Sequence, residues 1–266
     1  MKKILLGLGA VGVTLVMVPL FAAFEAHVVN VTARIENALS VPVEPISFGT
    51  VFPQEQLERR LPVSLSGSFL TEEDADDVRY IIRQKPKCGV TSANGTVLDG
   101  PTWTGHVVVV PVVDAAGAVI GYTYTIDCEQ DQPKDLELGQ GQTAGLLPSL
   151  CQYISKHPDN QPANDGSLDS FHQPFYINQQ TGQIVWTDTF GYLAKSQGDT
   201  SDVWTIDLKV PCFGGYCAQD WADFVHGVNP GADPDDYTQP IENEHKVFGC
   251  NLWIEVTGVS RFSQED

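Results

Sequence analysis

Apolar and polar side chains alternate over short runs that recur along the whole chain, a period of two that a strand can bury on one face and a helix cannot. Val29, Val31, Ala33 and Ile35 fall on one face, and Asn30, Thr32, Arg34 and Glu36 on the other. Leu61, Val63, Leu65 and Phe69 repeat the pattern, as do Val78, Tyr80 and Ile82 against Asp77, Arg79 and Arg83. Val107 to Val113 is a β-branched run broken by Pro111, which points to an edge or a bulge. Asp114-Ala-Ala-Gly117 then turns the chain into Ile120, Tyr122, Tyr124 and Ile126, a predicted hairpin. Trp204, Ile206, Leu208 and Val210 make a further strand, and Leu252, Ile254 and Val256 a last one. Seven or more short strands separated by turn signals predict an all-β chain folded as an antiparallel sandwich of two sheets. Glycine and proline, 24 and 17 of the 266 residues, agree, because both break helix interiors.

Two stretches depart from the alternation. Residues 129–200 are rich in Gln, Asp, Gly and Pro, and are predicted to be a loop insertion with a short helix near Leu146–Lys156. In Cys217–Val228, Trp221, Phe224, Val225 and Val228 recur at helical spacing and predict a second short helix, ended by Gly227 and Pro230. Residues 24–266 are accordingly expected to form a single β-sandwich domain with loop elaborations.

Lys2 and Lys3 precede an apolar run from Ile4 to Phe24, the pattern of a secretory signal peptide over residues 1–23. The same run is long enough to serve as an uncleaved membrane anchor. Cysteine usage fits export: Cys88, Cys128, Cys151, Cys212, Cys217 and Cys250 all lie after it, and an even number favours up to three disulfides. Cys212 and Cys217 bracket a turn-like Phe-Gly-Gly-Tyr, and the other pairings are left open.

With 34 acidic against 15 basic residues the formal net charge is -19, which repels phosphate and argues against a nucleic-acid partner. GxSxG, Walker, GxGxxG and HExxH patterns are all missing, and an inverted zinc motif around Glu244-His245 would need a His where Ile241 stands. The six histidines are scattered, so the expectation is no catalysis and no metal site. Calcium is the one ligand the acidic clusters admit: Glu72 to Asp77, Asp159 to Asp169, and Asp233 with Asp235 and Asp236. Their alternative role is as solvated loop charge. Asn30-Val-Thr32 and Asn94-Gly-Thr96 are formal glycosylation sequons.

The export signal, Ala22-Ala23-Phe24, the alternating strand after it, and Pro45-Ile46-Ser47-Phe48-Gly49-Thr50-Val51-Phe52-Pro53-Gln54-Glu55 together resemble the TasA/camelysin family. The resemblance covers roughly residues 20–85 and the last strand; Ser66-Gly67-Ser68 replaces the usual Asn-x-Gly, and the cysteines and the 129–200 stretch depart from it. It implies a jelly-roll-like sandwich, exported to the cell surface or a biofilm matrix, that polymerises when the N-terminal strand of one subunit completes the sheet of the next. Val29, Val31, Ala33 and Ile35 would be the donor strand, with Pro42 and Pro45 as its hinge. The expected function is thus a structural fibre subunit that self-assembles and contacts surface or matrix components. A carbohydrate- or surface-binding module using Trp186, Tyr192 and Trp253 is the alternative, and a camelysin-like surface metallopeptidase the third reading.

Overall fold

The computed structural model describes residues 35–42, 44–161 and 165–261. The chain divides into two units, Met1–Ile35 and Glu36–Asp266, and apart from Ile35 the first lies outside the described residues. Among the described residues of the second, fourteen strands follow: β1 Leu39–Ser40, β2 Gln56–Leu65, β3 Ala75–Lys85, β4 Lys87–Ser92, β5 Leu98–Thr104, β6 His106–Val113 and β7 Val119–Asp127 in the first half. The second half holds β8 Gln142–Leu146, β9 Ile154–His157, β10 Phe175–Ile177, β11 Ile184–Trp186, β12 Thr189–Ala194, β13 Ser201–Lys209 and β14 Asn251–Arg261. Among the described residues helix is confined to α1 (Gly67–Thr71), α2 (Trp221–Val228) and short 3-10 turns. The fold is all-β.

Two antiparallel sheets make the sandwich, ordered β1-β2-β13-β9 and β12-β3-β14. The alternation read from the sequence is what packs them. Leu61, Val63 and Leu65 from β2, and Trp204, Ile206 and Leu208 from β13, meet Val78, Tyr80 and Ile82 from β3 in one buried cluster. Burial of each such aliphatic or aromatic side chain contributes about 1.5–3 kcal/mol before conformational entropy is charged against it. A second, smaller sheet, β5-β4-β8, has its own cluster of Cys88, Val90 and Trp103, and β6-β7 and β10-β11 are two-stranded ribbons. The β6-β7 hairpin follows the sequence, with Pro111 opposite Tyr122 and a register shift between Val112 and Val113.

Three disulfides, Cys88–Cys128, Cys151–Cys250 and Cys212–Cys217, use every cysteine. They place the folded chain in an oxidising compartment. Cys151 precedes β9 of one sheet and Cys250 precedes β14 of the other, so this bridge staples the two layers together.

Four expectations need correction. The run Leu61–Phe69 is not strand throughout: Ser66 caps α1, its Oγ accepting the Phe69 N–H at 3.1 Å, and the chain turns there. Phe69 still reaches the core from the helix. Instead of a helix near Leu146–Lys156 there is one 3-10 turn, Cys151–Tyr153, and then β9, which pairs with β13. The Gln84 side chain ties down this turn, donating from Nε2 to the carbonyls of Cys151 (2.9 Å) and Ile154 (3.2 Å) from inside the core. Nor is 129–200 a peripheral insertion, since it supplies β8 to β12 and buries Tyr153, Ile154, Phe171 and Leu193 in the main core. The helix predicted over Cys217–Val228 is α2, which begins only at Trp221 and includes Gly227.

One close approach lies between neighbouring strands of the β12-β3-β14 sheet. Gly191 of β12 faces Tyr80 of β3, and a Cβ at Gly191 would overlap the Tyr80 ring. Gly191→Ala is expected to cost about 2–3 kcal/mol, read as a lowered urea midpoint.

Candidate functional site

The flanks of the sandwich differ. On one, residues 165–168 bond to both sheets: Gly166 N–H donates to the Phe190 carbonyl of β12 at 3.0 Å, while Leu168 and Lys156 of β9 exchange backbone bonds at 2.8 and 2.9 Å. At the other end of each sheet stand β2 and β14. Among the described residues the only strand on the outer side of β2 is β1, at Leu65 and Ser64. Leu65 N–H points to Thr200 on the β13 side and Ser66 N–H to Ala38 on the β1 side, so even-numbered residues of β2 direct their backbone groups outward. Pro62 is one of these and has no N–H to offer. The chain beside it, residues 41–51, packs Val41, Ile46, Phe48 and Val51 against the core, and Pro42 and Pro45 keep it from forming a ladder. β14 differs: it runs eleven residues without proline and pairs only with β3 among the described residues. Trp253, Val256 and Val259 are exposed along it, and register shifts after Val256 and Val259 twist its far half.

The outer face of the β12-β3-β14 sheet gathers Trp186, Tyr192 and Trp253, the aromatics singled out from the sequence. Each has a cation over its ring. The Arg79 guanidinium lies 6.0 Å from the Tyr192 centroid, Arg83 5.2 Å from Trp186, and Lys85 Nζ 3.6 Å from Trp253. Arg83 also donates twice to Asp188, at 2.9 and 2.6 Å, and this hydrogen bonding raises its already high pKa. Burial, then the Arg83 charge, pulls the Lys85 ammonium down. These rings therefore form cation-capped pairs rather than a bare aromatic platform. Their partners were visible in the sequence only as the polar half of the β3 alternation.

The acidic clusters resolve into local work. Asp76 accepts from Ser196 N and Oγ at 2.9 and 2.8 Å, and Asp233 caps a 3-10 turn by accepting the Asp235 N–H. Asp159 accepts the Val203 N–H at 3.2 Å and Asp165 the Tyr192 N–H at 2.7 Å. Sequence reasoning missed Asp202, which is 1% exposed on the inner face of β13. It accepts a hydrogen bond from the Tyr80 hydroxyl, which in turn accepts one from Trp204 Nε1 at 2.7 Å. Burial raises the Asp202 carboxyl to about 8, and the nearby Asp165 and Asp199 carboxylates add to the rise. Burial likewise raises Asp165, and lifts Asp199 to about 6. At neutral pH the Asp202 carboxyl is therefore held protonated, beside the Asp165 carboxyl. Among the described residues no group of three or more His, Cys, Asp or Glu is arranged to hold a metal ion.

Of the donor-strand residues, Val29, Val31 and Ala33 lie outside the described residues, and Ile35 is 93% exposed. Among the described residues no helix is long and apolar enough to cross a membrane. Compared with protein-family models, curated proteins and solved structures, the chain matches none of them.

Proposed function

We propose that this protein is an exported structural subunit of a cell-surface or matrix fibre, without catalytic activity, and that residues 28–37 of one copy add as a strand to the sandwich of the next. The observation that carries the reading is the asymmetry of the flanks: residues 165–168 span one, whereas β14 on the other has a proline-free outer edge with no strand partner among the described residues. An unpaired edge of that length is a template for an incoming strand. β2 is the poorer acceptor, because Pro62 and the charged Glu58 and Arg60 face outward in its ladder. The alternation of Val29, Val31, Ala33 and Ile35 suits one half-buried face, and each larger side chain buried would contribute about 1.5–3 kcal/mol before ordering costs. Three disulfides suit a subunit that must persist outside the cell. Deleting residues 24–37 is expected to abolish fibres in electron micrographs and leave a disulfide-bonded monomer on size exclusion. Fibres of unchanged yield after that deletion would overturn the reading.

A further inference from the structure

A groove of ≈ 630 Å³ opens between β7, the β8–β9 connection and the loop at 243–247. Its walls are set by contacts already in place. The turn between β4 and β5 docks on the 243–247 loop through Val247 N–H, which donates to the Gly95 carbonyl at 2.9 Å. On the opposite wall the rings of Tyr124 and Phe175 meet edge to face, their centroids 4.9 Å apart. Phe175 is buried, while Tyr124 is 49% exposed and its hydroxyl has no partner among the described residues.

The lining is chemically unlike the rest of the chain. The protein carries 34 carboxylates, yet none lines the groove, and its one charged group is Lys246. Four side-chain amides, Asn94, Gln152, Gln173 and Asn243, line it with the hydroxyls of Thr91 and Thr143, which lie 3.4 Å apart; Asn94 Oδ1 already accepts from Ser92 and Thr96, and Asn243 donates to Gln239 and accepts from Lys246, which leaves part of each amide's capacity open to the groove. Each amide both donates and accepts, so together they match a ligand whose groups do the same. A purely apolar ligand would strip water from the donor and acceptor capacity these amides have left and replace none of it. A cation would find no carboxylate, and a polyanion must approach a molecule of formal charge -19. What fits is a neutral, hydroxyl-rich ligand with an apolar face for the Tyr124 and Phe175 rings, the description of a pyranose. We infer that this groove binds an uncharged oligosaccharide of two or three rings, with Tyr124 as its stacking wall and the amides as its hydrogen-bonding set. This inference does not depend on fibre assembly.

Titration calorimetry of the disulfide-bonded chain tests it, with cellotriose, chitotriose and laminaritriose as neutral probes and trigalacturonate as the acidic comparison. At least one neutral trisaccharide is expected to bind more tightly than trigalacturonate. Tyr124→Ala and Gln173→Ala should each weaken that binding tenfold or more, while Trp253→Ala, on the outer sheet face, leaves it unchanged. Both groove residues are exposed, so the fold should survive, as thermal melting of each variant will verify. No binding of any neutral probe at millimolar concentration, a preference for trigalacturonate, or affinity indifferent to Tyr124→Ala would each overturn the assignment.

Discussion

Removing the Cys151–Cys250 bridge by C151A/C250A is expected to lower stability by about 4–5 kcal/mol, more than the loss of either other disulfide. The two cysteines are 99 residues apart in sequence, and a cross-link closing so long a loop takes the most conformational freedom from the unfolded chain. By the same reasoning Cys212–Cys217, separated by 5 residues, should be worth ~2 kcal/mol. Position adds to loop length. Cys151 is 1% exposed at the start of β9, and Cys250 enters β14, so the double substitution both leaves a cavity and unfastens one sheet from the other. Urea unfolding of the two double variants, C151A/C250A and C212A/C217A, compares them directly. Equal losses would show that the long bridge does not constrain the unfolded ensemble as its span implies.

Asp202→Asn should stabilise the protein by about 2–4 kcal/mol above pH 8 and leave it close to wild type near pH 4. The folded protein binds a proton at Asp202 up to about pH 8, against 3.8 for an ordinary aspartate. Between those values the folded state holds more protons than the unfolded state, so this group's contribution to stability is present at acid pH and lost as pH rises. Asn keeps the oxygen that accepts from Tyr80 and supplies a permanent donor toward Asp165, as the protonated acid does. The groups facing Asp202 are Tyr80 from β3, Asp165 from the loop before β10, and Asp199 from the turn into β13; Asp159 in turn acts on Asp165 and Asp199. Two other buried groups give slopes of the opposite sign: burial lowers His172 to about 4 and Lys156 to about 7. Both are common to wild type and variant, so they cancel in the difference. Thermal melts across pH 4–9 read that difference, which should open with rising pH; a constant offset would mean that Asp202 is ionised throughout.

How far the sequence carried differs from element to element. Leu61, Val63, Leu65, Val78, Tyr80, Ile82, Trp204, Ile206 and Leu208 were all legible as inward-facing, because a period of two repeats over enough residues to define a face, and all are buried in the sandwich. The hairpin at Asp114–Gly117 and the Cys212–Cys217 bridge were legible because their partners are local. β9 and β12 were not. Each is four to six residues long, and each is strand because a distant neighbour, β13 or β3, offers it a ladder. The pairing of Cys151 with Cys250 and of Cys88 with Cys128 likewise depends on which strands become neighbours.

The polar interior and the groove belong to the same class. Asp202 occupies an apolar slot of the β13 alternation, and only the arrival of Tyr80 from β3 and of Asp165 from its loop turns it into a proton-holding carboxyl. Asn94, Tyr124, Gln152, Gln173 and Asn243 sit on five separate segments and line one groove only after the smaller sheet and the ribbon dock beside the sandwich. Composition and periodicity by themselves determined the all-β class, the inward faces of the long strands and the oxidising compartment, since these depend on side-chain spacing and on cysteine content. Strand order, the stapling bridge, the open flank and the carboxylate-free groove were decided by tertiary structure alone, because each is a contact between residues far apart in the chain, and no local pattern records which distant segment a residue will meet.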